Sequence, residues 1–439
     1  MDQAKSAQEL LEFIAACPSM FHTAATIRAA LDKAGFSYLP EHEVWSVEPG
    51  GSYYTVRNGS SVVAFRVGEH LDSYHFQIGA AHADSPTFKV KAVPELVGPG
   101  EYLRLNVEGY GGMIDYTWFD RPLSVAGRVL VGSDSEVSAR LLNVSRPVVL
   151  IPSLAIHMNR EVNQGLATNH QVDLCPLFSA GALRRGAFEQ LLAEELGVTE
   201  EEVLSFDLYL VNRQPGVVWG AAQEFVSTPK LDDLQCAFSA LRGFLSSNNE
   251  HDVSVFACFD SEEIGSGTKQ GAKSTLLRDV LRRVNIALGK SEEDFLRALA
   301  ASFMVSCDNA HAIHPNHPEH ADEENRPVLN GGVVIKEHAK QLYTTDAFSR
   351  AAFLAICRDA GVPTQVFANR SDKRSGSTLG NLATAQVSIH TLDVGLPQLA
   401  MHSAYETGGT QDTFWGIQAL RSFFDCDLHI DEARSISLG

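Results

Sequence analysis

The chain has 439 residues, of which 44 % are apolar and 20 % charged, and its formal net charge is −19 from 54 acidic and 35 basic side chains. This is the composition of a soluble globular protein too long for one ordinary core, and the acidic excess excludes a general nucleic-acid or anionic-membrane surface. An acidic substrate would need a local basic residue to meet it. Seven cysteines without a Cys-x-x-Cys pair, no secretory leader pattern after Met1 and no apolar run of bilayer length point to a reducing, cytoplasmic setting.

In chain order, Leu10, Leu11, Phe13 and Ile14 carry helical spacing over Ser6–Ala16, which Cys17-Pro18-Ser19 stops. A second amphipathic helix is predicted over Thr23–Lys33, with Gly35 beyond its end. Ser52–Arg57 and Ser61–Val67 are β-like around Asn58-Gly59, a strong hairpin signal. Phe76–Ala81 is an apolar strand running into His82-Ala83-Asp84. From about Val93 to Gln223 the texture is short alternating runs with glycine-rich turns, and helical decoration near Arg184–Leu196. The α/β rhythm then returns, with strands expected at Val253–Phe259, Phe303–Cys307, Val333–Ile335, Thr364–Ala368 and Val387–Leu392. The fold class is therefore read as α/β: residues 1–93 and 224–439 form one α/β domain, interrupted by an all-β insert at 94–223.

The stretch Phe259-Asp260-Ser261-Glu262-Glu263-Ile264-Gly265 follows a buried-type strand. The carboxyl ends of such strands are where ligands and catalytic groups collect. Adjacent residues on a turning chain point in different directions, so Glu262 and Glu263 suit different tasks, one binding a metal and the other moving a proton. Four further strings place hard or borderline metal ligands at strand ends or turns: His82-Ala83-Asp84, Leu231-Asp232-Asp233, Cys307-Asp308-Asn309-Ala310-His311 and Met401-His402-Ser403. His314, His317 and His320 are read as loop histidines.

In order, these pieces resemble the aspartyl aminopeptidases, dinuclear zinc exopeptidases that assemble as tetrahedral dodecamers built from dimers. The matching strings run from Ala81-His82-Ala83-Asp84-Ser85-Pro86 through Pro229-Lys230-Leu231-Asp232, Asp260–Ser266 and Asp308–Asn316 to Gln398–Ser403, with Thr117–Arg121 and Leu154–His157 in the insert. The resemblance implies a zinc-exopeptidase-like α/β/α catalytic domain with an inserted all-β dimerisation domain. It makes Asp232 the bridging ligand of two divalent ions, zinc with manganese or cobalt as alternatives. His82 and Asp308 complete one metal site, Glu263 and His402 the other. Asp84 holds the second nitrogen of His82, and Glu262 is the general base that passes a proton from the attacking water to the leaving amine. His157, His311, Lys336 and Tyr343 map to substrate contacts, His157 reaching the active site of a neighbouring subunit and Lys336 meeting an acidic side chain.

The implied activity is hydrolysis of single N-terminal residues, Asp or Glu first, from peptides by a cytoplasmic homo-oligomer with no nucleic-acid or membrane partner. Two departures are visible. The family usually has Asn where this chain has Asp233, an added carboxylate able to share the bridging role, and some members prefer neutral, leucine-like residues. Gly267–Ser274 looks like a phosphate loop but places Ala272 where glycine is needed. A nucleotide-binding protein and a non-catalytic scaffold are therefore the alternatives of a different class.

Overall fold

The computed structural model describes residues 2–71, 74–133 and 135–438. A nine-stranded sheet draws on both ends of the chain, in the order Ser37–Tyr38, Ser52–Arg57, Ser61–Val67, Val253–Phe259, Phe76–His82, Phe303–Cys307, His390–Gly395, Val333–Glu337, Thr364–Ala368. Its central strands are parallel, with Phe259 level with His82 and Cys307 level with Val394. Both faces are covered. Alternate residues of Val253–Phe259 face opposite sides, Phe256 and Cys258 packing towards the helices Gln3–Ala15, Met20–Lys33, Leu231–Ser246 and Asp412–Asp425, and Val255, Ala257 and Phe259 towards Leu276–Ala287 and Glu292–Ala300. Burial on both faces explains why these strands read as continuous apolar runs rather than alternating ones.

A six-stranded antiparallel sheet is built from Thr87–Val97, Tyr102–Tyr110, Leu123–Ser133, Glu136–Asn143, Leu177–Ala180 and Val203–Asn212. Its core gathers Phe88, Val125, Leu142 and Leu208 under the helix Ala187–Leu196, which contributes Phe188 and Leu192. The strand Thr87–Val97 runs through residue 93, where the composition changes. A third, five-stranded sheet joins Val217–Trp219, Phe225–Thr228, Glu406–Gly409, Pro397–Leu399 and Ala310–His311, segments far apart in sequence.

Most expected elements stand where the periodicity put them: Ser52–Arg57, Ser61–Val67, Val253–Phe259, Phe303–Cys307 and Thr364–Ala368 keep both bounds. The expected strand Val387–Leu392 lies instead at His390–Gly395, because Gln386 and Val387 turn back on Ala383 to close the preceding short helix. Residues 265–274 form bends and turns, and the next helix begins only at Leu276, so no helix N-terminus follows the glycines as a phosphate loop requires. Cys17, Cys175, Cys236, Cys258, Cys307 and Cys357 are buried thiols, and no helix among the described residues is long and apolar enough to cross a membrane.

The central strands pack tightly at the edge where the candidate residues gather. A Cβ placed on Gly395 would lie 2.1 Å from the carbonyl oxygen of Asp308, whose own N–H donates to Val394 at 2.9 Å. Gly395→Ala therefore forces the two strands apart, at a cost of ~1–3 kcal/mol. The expected outcome is a melting temperature several degrees lower with reduced metal retention; unchanged values for both would show that the strand shifts without cost.

Candidate metal centre

The parallel strands deliver their side chains to one edge at one level. His82 is the last residue of Phe76–His82, and Asp308 directly follows Phe303–Cys307. After Phe259, Ser261 at φ +68° and Gly265 at φ +90° bracket a tight turn over Glu262–Ile264. Asp84 holds this turn: its Oδ1 accepts the N–H of Glu262 at 3.1 Å and its Oδ2 the N–H of Glu263 at 3.2 Å. Tyr110, from the antiparallel sheet, donates its hydroxyl to the same Oδ2 at 2.9 Å. Asp232 opens the helix Leu231–Ser246 outside helical geometry, joined to Asp233 by a cis peptide bond. His402 sits at φ +67° in a turn between two strands of the five-stranded sheet.

Both histidines are held in one tautomer by backbone. His82 donates Nδ1–H to the carbonyl of Asp84 at 3.1 Å, and His402 donates Nδ1–H to the carbonyl of Gly112 at 2.5 Å. In the neutral ring each Nε2 then carries the lone pair that a divalent cation takes, and in the protonated ring the same nitrogen turns an N–H towards the carboxylates. His82 Nε2 lies 3.7 Å from Asp232 Oδ1; His402 Nε2 lies 3.4 Å from Asp232 Oδ2 and 3.4 Å from Glu263 Oε2. Two ligands each about 2.1 Å from a tetrahedral ion sit about 3.4 Å apart. The two oxygens of Asp232 thus face two separate ligand groups, one with His82, Asp233 and Asp308 and one with Glu263 and His402.

The donor set fits divalent cations. Asp232 Oδ1, Asp233 Oδ1 and Glu263 Oε1 are buried and accept no hydrogen bond, and buried polar atoms are ordinarily paired. Burial pushes Glu262 up to about 8, opposed by His82 and reinforced by Asp308, Asp84 and Asp232. Burial and the neighbouring Asp232 push Glu263 well above the carboxylate range. Asp232 is held low in spite of its burial, by the hydrogen bond from His402 and the charges of His82 and Lys336. Without a dication, this pocket draws protons onto carboxylates that metal binding would release.

Asp233 is fully buried; its Oδ2 accepts the backbone N–H of His82 at 3.1 Å and stands 4.0 Å from His82 Nε2. It faces only the His82 group, while Asp232 reaches both. The Asp84 contact also differs in detail from expectation, since the main-chain oxygen is nearest to His82 and the carboxylate lies 3.5 Å away, occupied with the Glu262–Glu263 turn.

Of the further residues, Lys336 is buried rather than a surface lysine, its Nζ 3.3 Å from Asp308 Oδ1 and 5.5 Å from the Tyr343 ring centre. Tyr343 and His311 flank Phe367, at ring separations of 6.3 and 5.9 Å. His157 is the exception. It lies exposed in the segment 152–158, with no hydrogen bond or ion pair among the described residues, and is not a buried histidine.

A family described as aminopeptidase I zinc metalloprotease (M18) matches residues 13–424. The chain belongs to the M18 family. It is 45 % identical over 435 residues to a probable M18 family aminopeptidase 2 of Clostridium novyi, covering 97 % of this chain and 99 % of that one. Among solved structures, Ape4 in complex with Nbr1 superposes with a TM-score of 0.93 at 36 % identity, covering 96 % of this chain and 86 % of that one. The S. cerevisiae mApe1 dodecamer gives 0.84 at 29 % identity and 96 % coverage of both. As an M18 metalloaminopeptidase the protein is a peptide hydrolase, which sets aside the nucleotide-binding and scaffold readings.

The sequence reading passed over one residue central to this M18 site. Glu406 is 1 % exposed; its Oε2 accepts the N–H of Asp232 at 3.0 Å and its Oε1 that of His402 at 2.6 Å. It ties one backbone to the other, and nothing in the spacing of His402 and Glu406 signals this. Glu406→Ala leaves two buried N–H groups unpaired, and loss of such support typically weakens metal binding about 10–100-fold. Competition with a chelator of known affinity should find a loss in that range; wild-type affinity would remove Glu406 from the support of the site.

Proposed function

We propose that the chain removes single N-terminal residues, Asp or Glu in preference, from peptides at a dinuclear zinc centre. The observation that carries the two-ion reading is Asp232, whose two oxygens each face a different histidine. In this reading Asp232 bridges, His82 and Asp308 hold one cation, and Glu263 and His402 hold the other, with manganese or cobalt able to substitute for zinc. Such cations supply Lewis acidity, lowering the pKa of the attacking water and polarising the scissile carbonyl.

The protein's own groups do the rest. Glu262, raised by burial towards neutral pH, accepts a proton from the water and returns it to the leaving amine. Asp84 and Tyr110 position its turn. Lys336 offers a desolvated ammonium to an acidic side chain, a local charge that outweighs the screened −19 of the whole chain. His311 and Tyr343 line the approach. One observation favours a second reading, preference for neutral residues: Lys336 already pairs with Asp308, and Ala310, Val334, Tyr343 and Phe367 make an apolar cluster beside it.

His157 would act from a neighbouring subunit. Leu154, Ile156 and Met158 around it are exposed apolar side chains suited to burial in an interface, and mApe1 is a dodecamer. In this proposal residues 94–223 form the dimerisation domain between the catalytic segments 1–93 and 224–439, dimers assemble into a dodecamer, and buried thiols such as Cys236, Cys258 and Cys307 suit the cytoplasm. A fully active monomer in light scattering would refute the shared site.

Glu262→Gln should bind two metal equivalents and keep the fold while kcat falls about 10²–10⁴-fold; a wild-type kcat would transfer the base role elsewhere. On aminoacyl substrates with Asp, Glu, Leu and Lys, cleavage should be chelator-sensitive and led by Asp and Glu, and Lys336→Ala should abolish that lead. A lead by Leu in the wild type would keep the chemistry and overturn the acidic pocket.

A further inference from the structure

The wall of one cavity reverses the acidic balance of the chain. Segments 311–327 and 367–373 enclose an open cavity of about 180 Å³ whose ionisable wall is entirely basic: Arg326, Arg370 and Lys373 with the histidines of the 311–320 segment. No carboxylate contributes to this wall, although the chain carries 54 of them. The carboxylates of these segments lie outside the lining: Glu323 is a charge neighbour of Arg370, Asp322 accepts the N–H groups of Glu324 and Asn325, and two more are paired. Asp372 is paired with Arg370 at 2.7 Å, and Glu319 with His317 at 3.1 Å and with His320 at 3.8 Å. Arg326 and Lys373 make no ion pair among the described residues. Arg326, Arg370 and Lys373 line this concave surface while the carboxylates of the same two segments do not, so a ligand seated inside it meets the cations first.

The position of the cavity relative to the metal centre gives that field a use. His311 is part of the wall, as is Phe367, but Lys336, Tyr343 and the metal-facing carboxylates are not. Phe367, level with Lys336 on the neighbouring strand, and His311 beside it link the basic cavity to the surroundings of Lys336. A carboxylate seated in the cavity belongs to a different part of the substrate from the side chain that meets Lys336. His317, Glu319 and His320 are also close enough to share a cation, but three neighbouring basic side chains oppose a dication there.

We propose that this cavity is a second carboxylate-binding subsite, which takes an acidic side chain or the terminal carboxylate of the peptide downstream of the cleaved bond. The proposal rests on the aminopeptidase reading. It makes selection two-point: one basic group inside the pocket reads the cleaved residue, and a basic rim retains the part that becomes the shortened product.

The test compares Asp-Ala-Glu-Ala with Asp-Ala-Gln-Ala, each with a free and an amidated C-terminus, on the zinc-loaded full-length enzyme at low and high salt. Exposed ion pairs are individually weak, so two or three together should lower KM about fivefold for the carboxylate-bearing peptide, with the advantage shrinking at high salt. The Glu/Gln arm reports a side-chain carboxylate and the free-acid/amide arm a terminal one. In Arg326→Ala/Lys373→Ala the KM ratio should fall to about one, and in Arg326→Glu/Lys373→Glu it should invert, a sign change that a misfolded enzyme cannot produce. Equal KM values for all four peptides, or a ratio untouched by both double variants, would overturn the subsite alone. No cleavage of any peptide would overturn the aminopeptidase reading and the subsite with it.

Discussion

Carboxylates gathered at the buried ends of parallel strands are the constraint around which this protein is arranged. Asp232 lies within reach of Asp233, Asp308 and His82 on one side and of Glu263 and His402 on the other, and charges this close and this dry cannot all ionise unaided. Lys336 answers part of the repulsion at Asp308. The oxygens left without a partner mark where divalent charge completes the balance. The same crowding that calls for metal also raises Glu262.

Three sheets meet at this point, and each supplies something the others lack. The parallel sheet sets His82, the Glu262–Glu263 turn and Asp308 at one level through its register. The five-stranded sheet brings His402, Glu406 and His311. The segment 87–212 sends in Tyr110 and the Gly112 carbonyl, which hold Asp84 and the His402 ring. The inserted segment is thus joined to the chemistry through specific hydrogen bonds, and its displacement would turn a ligand as well as open a cleft.

Charge is distributed with the same economy. A net −19 keeps the exterior acidic, yet the side of the site beyond His311 is basic, and the cation nearest the metal ligands is buried. Within the site, short-range desolvated charge outweighs the screened net charge of the chain.

Much of this was legible in the residues. Strands buried on both faces announce themselves as apolar runs, and their ends carried His82, Glu262, Glu263 and Asp308 in strings with few other uses. Composition alone separated the two textures of the chain. What could not be read was whatever depends on segments meeting across long sequence separations. The five-stranded sheet joins pieces from Val217 to Gly409, each too short to show a period, so Glu406 had no visible partner. Lys336 could be judged neither buried nor exposed until Asp308 and Tyr343 closed over it. Which side chains could serve as ligands was legible in the sequence, because imidazole and carboxylate are the donors such ions take. Which oxygen of Asp232 faces which histidine, and which nitrogen each histidine presents, was decided only by the tertiary structure, because those choices are made by backbone carbonyls and N–H groups that any sequence possesses and only a fold can aim.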